Sequence, residues 1–235
     1  MSAAEANGKD FADLADARQA VEAALAAGDT PKAIALAGSA IGRGFRDAMF
    51  HNLIAYDLEQ QGRYAEAMAE LQRAYELAPR DVVILNAIGR CLLPQGRLPE
   101  ALKVYDAALS IEPAYVPTLV NKADALALDK QYDEARSVFQ QALAIHPGSA
   151  GALAGLASIE LRRGALDDAR ELAERALAQA PNQDVAALTL AGVVADAAGA
   201  RAEDLLRGVL SRGPSGEVRA QAESQLGDVL DGTGR

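Results

Sequence analysis

Alanine occupies the same two places of a 34-residue spacing five times over, and no other feature of the sequence restricts the fold so much. The register is set by GRYAEAMAELQRAYELAP at 62–79, which returns as GRLPEALKVYDAALSIEP at 96–113, KQYDEARSVFQQALAIHP at 130–147 and GALDDARELAERALAQAP at 164–181. Five copies follow without a gap, at 14–47, 48–81, 82–115, 116–149 and 150–183. Position 20 is Ala33, Ala67, Ala101, Ala135 and Ala169; position 27 is Ala40, Ala74, Ala108, Ala142 and Ala176. Alanine at both marks where the second helix of a hairpin presses closest to its neighbours, since a larger side chain would force the backbones apart. Position 8 is small in four copies, Ala55, Gly89, Ala123 and Ala157, with Val21 in the first. Such a period describes one small unit stacked on copies of itself, each touching only its neighbours.

With 50% hydrophobic residues, 4% aromatic and no Trp, the core must be built mainly from Ala, Leu, Val and Ile. Small side chains let helices approach, whereas strands favour β-branched and aromatic residues, so the fold class is all-α. Gly28, Gly62, Gly96 and Gly164 stand at position 15, where the chain leaves the first helix of each pair, and Lys130 replaces the glycine once. Pro31 and Pro99 open second helices, Pro117 opens a first helix, and Pro79, Pro113, Pro147 and Pro181 end the hairpins. Pro94 falls in the last turn of a helix, which predicts a kink or an early ending there. A helix of about 14 residues is marginal alone, so stacking supplies the stability.

These residues resemble the tetratricopeptide repeat (TPR) family, whose pattern is a large residue, Leu-Gly, an aromatic, then Ala, an aromatic, Ala and Pro. The resemblance runs over 14–183 and includes Tyr64 and Tyr132 before second helices and Tyr105 and Phe139 at position 24. It departs at His51, Leu85, Leu119 and Leu153, where Trp is usual, and at Phe45, where the first copy lacks its Pro. It implies a right-handed α-α superhelix, the TPR solenoid, of about six helical hairpins plus a C-terminal helix. It also implies a non-catalytic protein- or peptide-binding scaffold that uses a concave groove lined by first helices.

Residues 1–9 are small and polar and read as a disordered N-terminus, with Asp10 capping a helix that begins around Phe11. Residues 10–235 read as a single solenoid. Within it, 184–217 is a degenerate sixth hairpin whose spacing slips and which lacks the position-20 alanine. After Gly213, Pro214, Ser215 and Gly216, residues 218–235 read as a partial repeat or a capping helix, with Gln221, Ser224, Gln225 and Asp228 opposite Ala222, Leu226, Val229 and Leu230. Gly234 and Arg235 match the turn of an unfinished repeat, as if a second helix should follow. On that reading LGDVLDGTGR resembles the TPR region preceding a sulfotransferase-like domain in some bacterial proteins, and a similar region precedes aspartyl/asparaginyl hydroxylase domains. The alternative function is then a substrate-recruiting or dimerising N-terminal domain of a larger enzyme. A further alternative is a self-assembling structural protein, a homodimer through its C-terminal edge.

The formal charge of −10 opposes nucleic-acid phosphate, so no nucleic-acid partner is expected. No apolar run approaches the roughly 18 residues of a membrane span, and the opening MSAAEANGKDFADLADAR has no apolar signal region, which together read as a cytoplasmic chain without membrane insertion. Cys91 is the only cysteine and sits in an apolar helix, where packing is its expected role. His51 takes a core slot and His146 a turn, neither with a second metal ligand at suitable spacing. No phosphate-binding or nucleophile-elbow pattern is present. The acidic pairs Asp167-Asp168 and Glu203-Asp204 are assigned to first turns of second helices, where carboxylates favour the helix dipole. No catalytic residue, metal or cofactor is expected.

The family resemblance places positions 2, 5, 6, 9, 12 and 13 of each first helix on the concave wall, and spacing by three or four residues keeps them on one face. The candidate peptide-binding residues there are Asn52, Tyr56, Asn86, Arg90, Asn121 and Asp124. An amide both donates and accepts, so Asn52, Asn86 and Asn121 suit an extended peptide backbone. Similar asparagine rows line the TPR groove of O-linked N-acetylglucosamine transferase. Tyr56 and Arg90 are hot-spot residue types. Met49, Glu59, Gln60, Ser158 and Arg162 complete the wall near them, and the lysine clamp that grips a free acidic C-terminus is absent.

Overall fold

The computed structural model describes residues 11–195, 197–214 and 216–232. Among them are thirteen α-helices and no strand: α1 Leu14–Ala26, α2 Thr30–Gly42, α3 Ala48–Gln60, α4 Tyr64–Leu77, α5 Val82–Leu92, α6 Leu98–Ile111, α7 Val116–Leu128, α8 Tyr132–Ile145, α9 Ala150–Arg162, α10 Leu166–Gln179, α11 Asp184–Val194, α12 Gly199–Ser211 and α13 Gly216–Gly232. The chain divides into two compact units, the first ending at Pro113 and the second beginning at Ala114. In the first, α1 to α6 form three hairpins; in the second, α7 to α12 form three more and α13 packs on α11 and α12.

Short polar side chains start many of these helices. Asp13, Asp29, Asp47 and Asp81 each accept a backbone N–H of the first turn, as does Ser149 before α9. The first helix therefore begins at Leu14 rather than around Phe11, because extended Asp13 caps it. Phe11 turns instead into the core, its ring edge-on to Phe45 at 6.4 Å, which explains why the first copy carries a phenylalanine in the place of proline. Asp10, residues 1–9, Gly234 and Arg235 lie outside the described residues.

The ten repeat alanines are all fully enclosed, with 0% exposure at positions 20 and 27 of every copy. Two glycines show how tight the layers are. A Cβ on Gly89 would fall 2.3 Å from the Tyr105 ring of the same hairpin, and one on Gly155 would fall 2.1 Å from the Phe139 ring of α8, in the preceding hairpin. Both rings are buried, so a bare backbone is what makes room for them against the facing helix. The turns at position 15 run through the left-handed region, at φ 72–78° for Gly28, Gly62, Gly96 and Gly164. Lys130 takes the same conformation at φ 63° without glycine's freedom.

Pro94 acts as its position dictates: α5 stops at Leu92 and the chain continues as a single 3-10 turn, Leu93–Gln95. At the other end two boundaries move. Gly216 is the first residue of α13 rather than part of the preceding break, so the last helix starts inside the segment read as the sixth hairpin. Glu203 and Asp204 sit in the second turn of α12, which has no acidic residue in its first turn; Glu203 pairs with Arg207 at 2.8 Å, one turn on. Asp167 and Asp168 do occupy the first turn of α10.

Candidate partner-binding walls

Within each unit, first helices meet one another directly: α3 packs on α5, and α7 on α9 on α11. Their shared face carries the wall positions. The six candidate residues divide between the units, with Asn52, Tyr56, Asn86 and Arg90 in the first and Asn121 and Asp124 in the second.

In the first unit the polar wall carries an ion pair between successive repeats. Arg90 reaches back one repeat to Glu59, placing Nη2 2.6 Å and Nε 3.0 Å from the same carboxylate oxygen. The Glu59 side chain is 7% exposed against 43% for Arg90. Burial holds the Glu59 carboxyl above the usual carboxylate range, Arg90 pulls it back, and its Oε1 is buried without a hydrogen-bond partner among the described residues. Asn86 is buried and already engaged within the chain, and Asn52 is half-buried. Tyr56 is exposed, at 40%, and unlike Arg90 it has no hydrogen-bond or ion-pair partner among the described residues. Deeper in, buried His51 places Nδ1 2.7 Å from Glu70, which also meets Arg73. Cys91 is buried, its Sγ 3.4 Å from the Tyr64 carbonyl, and desolvation pushes its thiol up to about 11, as expected for packing rather than reactivity.

The second unit leaves more space. A cleft of about 300 Å³ is lined by Asp124, Leu128, Ser158, Arg162, Val185 and Thr189 from α7, α9 and α11, with Tyr132 of α8 beside them. The first turns of α13 close one side through Glu217, Val218 and Gln221. Asp124 has no hydrogen bond or ion pair among the described residues. Water reaches its carboxylate from the mouth, yet protein crowds it, and that desolvation alone pushes it up to about 7. The Arg162 guanidinium lies over the Tyr132 ring, 5.5 Å from its centroid. Thr189 donates its hydroxyl to the Val185 carbonyl. Asn121 is half-buried and also engaged within the chain.

Sequence reasoning placed Ser158 and Arg162 on this wall but missed the Glu59–Arg90 pairing. Its signal was there, opposite charges at positions 12 and 9 of successive copies. It also missed Glu217 and Gln221, whose approach depends on how α13 folds back and has no signature in the repeat. Among the described residues, no group of three or more His, Cys, Asp or Glu side chains is placed to hold a metal, and no helix is long and apolar enough to cross a membrane.

Two tetratricopeptide repeat family models match the chain, one over residues 58–123 and 126–191 and the other over 18–82. No curated protein matches it. Among solved structures, a thermophilic TPR protein of Thermus thermophilus is similar at 21% identity over 76% of this chain and 98% of its own, with a TM-score of 0.66. The Cut9 and Hcn1 hetero-tetramer of the APC/C gives 15% identity over 93% of this chain and 43% of that one, with a TM-score of 0.76. YrrB, described as a TPR protein with an unusual peptide-binding site, gives 18% identity, 80% and 97% coverage and a TM-score of 0.50. At these identities the likeness is one of fold.

Proposed function

We infer that this chain, which belongs to the tetratricopeptide repeat family, is a non-catalytic scaffold that holds an extended segment of another protein along its first-helix walls. The observation that carries this reading is the open cleft formed by wall positions of α7, α9 and α11, where Ser158 and Gln221 have polar groups without partners among the described residues. A site of that size takes one or two side chains of a peptide, with amides and hydroxyls available for its backbone. The fold likeness to YrrB, itself described as having a peptide-binding site, is in keeping with it. Of the first-unit residues, exposed Tyr56 is the one proposed to touch a partner. Asn86 and Arg90 hold that wall in shape, and Asn121 does the same beside the cleft.

The test is selection of a displayed random peptide library on the intact chain, followed by titration of the recovered peptides against Ser158→Trp, which fills the cleft. Recovered peptides should bind the unaltered chain and lose at least about tenfold against Ser158→Trp, with helicity unchanged. Recovery of no peptide, or full binding to Ser158→Trp, would remove the reading.

A further inference from the structure

We propose that the cleft of the second unit is a specificity pocket for one basic side chain, a lysine or arginine, of an extended partner peptide. The proposal rests on the scaffold reading above and names the chemistry its site selects.

Three features of the cleft point to a cation on a long stem. First, its walls are apolar along much of their length, through Leu128, Val185, Leu188 and Val218, which suits the methylenes of lysine or arginine. Second, its charged groups are Asp124, Glu217 and Arg162, so carboxylates outnumber the one cation. Arg162 is drawn onto the face of Tyr132, while Asp124 has no partner among the described residues and Glu217 makes no ion pair there. Third, a chain of formal charge −10 attracts basic segments from a distance, so approach and pocket agree in sign. An acidic peptide side chain would instead meet two carboxylates in a crowded site.

The pocket also carries a pH signature. The groups facing Asp124 are Tyr132 from α8, Arg162 from α9 and Glu217 from α13; Lys122 and Asp129 lie on or just past its own helix. Desolvation has moved the Asp124 carboxyl to about 7, so the empty pocket exchanges a proton near neutrality. A bound ammonium or guanidinium favours the ionised carboxylate and releases that proton. Affinity therefore rises with pH through 7, by about tenfold between pH 6 and pH 8, the change in the ionised fraction.

The experiment is titration of the whole isotope-labelled chain with capped peptides Gly-Leu-Xaa-Leu-Gly, with Xaa as Lys, Arg, norleucine or Glu, read by amide chemical shifts. The Lys and Arg peptides should move the signals of Asp124, Ser158, Thr189 and Gln221 and bind at least about tenfold more tightly than norleucine or Glu. Asp124→Asn should lose that advantage and the pH dependence, whereas Asp167→Asn, a carboxylate on the exposed start of α10, should lose neither. Equal binding of the norleucine peptide at the cleft would overturn the pocket while leaving the scaffold reading standing. An equal loss in Asp167→Asn would overturn it in favour of diffuse charge attraction. If no peptide moves any first-helix signal, both fall together.

Discussion

The same repeat position is used in opposite ways by the two units. At position 9 of its copy, Arg90 in the first unit reaches back to Glu59 and locks two first helices together through a nearly buried carboxylate. At position 9 of the next copy, Asp124 in the second unit has no partner among the described residues and faces a cleft. A stacked repeat provides one geometric slot many times over, and the residue placed there decides whether the slot consolidates the stack or remains open to a partner. The first unit has committed Glu59 and Arg90 of its wall to each other, and Asn86 is buried and engaged within the chain. The second has kept its wall open and placed α13 along one side of it.

The comparison can be broken most severely through the glycines that let each unit stack. Adding a methyl group at Gly155, against Phe139, or at Gly89, against Tyr105, should cost about 3 kcal/mol, near the upper end for overpacking, and each should lower the midpoint of denaturant unfolding. A change below about 0.5 kcal/mol would mean that the rings swing aside at no cost.

Next in size is the locked wall. Arg90→Met should destabilise the chain by about 2 kcal/mol at pH 7, because Glu59 is left as a lone buried carboxylate. The sign with pH follows from the raised Glu59 carboxyl: its proton is held more tightly when folded, so the stability it contributes is full at low pH and lost as pH rises through its folded value. The loss in Arg90→Met should therefore shrink toward pH 4. A constant deficit across that range would contradict the pairing.

A smaller effect has the opposite sign. Lys130→Gly relieves a left-handed lysine and should stabilise the second unit by about 1 kcal/mol, while the equivalent glycines in the first unit offer no such gain. Smallest of all is Asp124→Asn. The raised carboxyl makes the unaltered chain lose stability as pH climbs from about 4 to 7, and the variant should flatten that slope. Water at the cleft mouth limits the difference to under about 1 kcal/mol. A steeper slope in the variant would contradict the assigned cause.

Much of the fold was legible in the sequence because stacking writes its constraints at fixed intervals. The ten alanines, the position-15 glycines and the prolines each answer a demand that a neighbouring backbone makes locally, and the helices follow from them. Gly155 was different: it opposes Phe139 of the preceding hairpin and stands at position 6, outside the small-residue positions that recur from copy to copy, so its meaning needed the packed pair. The start of α1 was misplaced because Asp10 and Asp13 are equivalent as residue types, and only the position of Phe11 in the core separates them. The wall was legible as a face but not as a site. Position numbers located Asn86 and Arg90 on it, yet whether an amide is buried or an arginine already paired depends on the residue a full repeat away. The cleft depended further on the return of α13, whose first turn lies beyond the last regular repeat.

Hydrogen exchange on the intact chain, with and without a peptide recovered by selection, tests most directly the claim that the second unit's wall is the open one. Protection should rise on the cleft-facing turns of α7, α9 and α11 and on the first turns of α13, with α3 and α5 changed little apart from the turn bearing Tyr56. Protection gathered along α3 and α5, with α9 and α13 unchanged, would contradict the account.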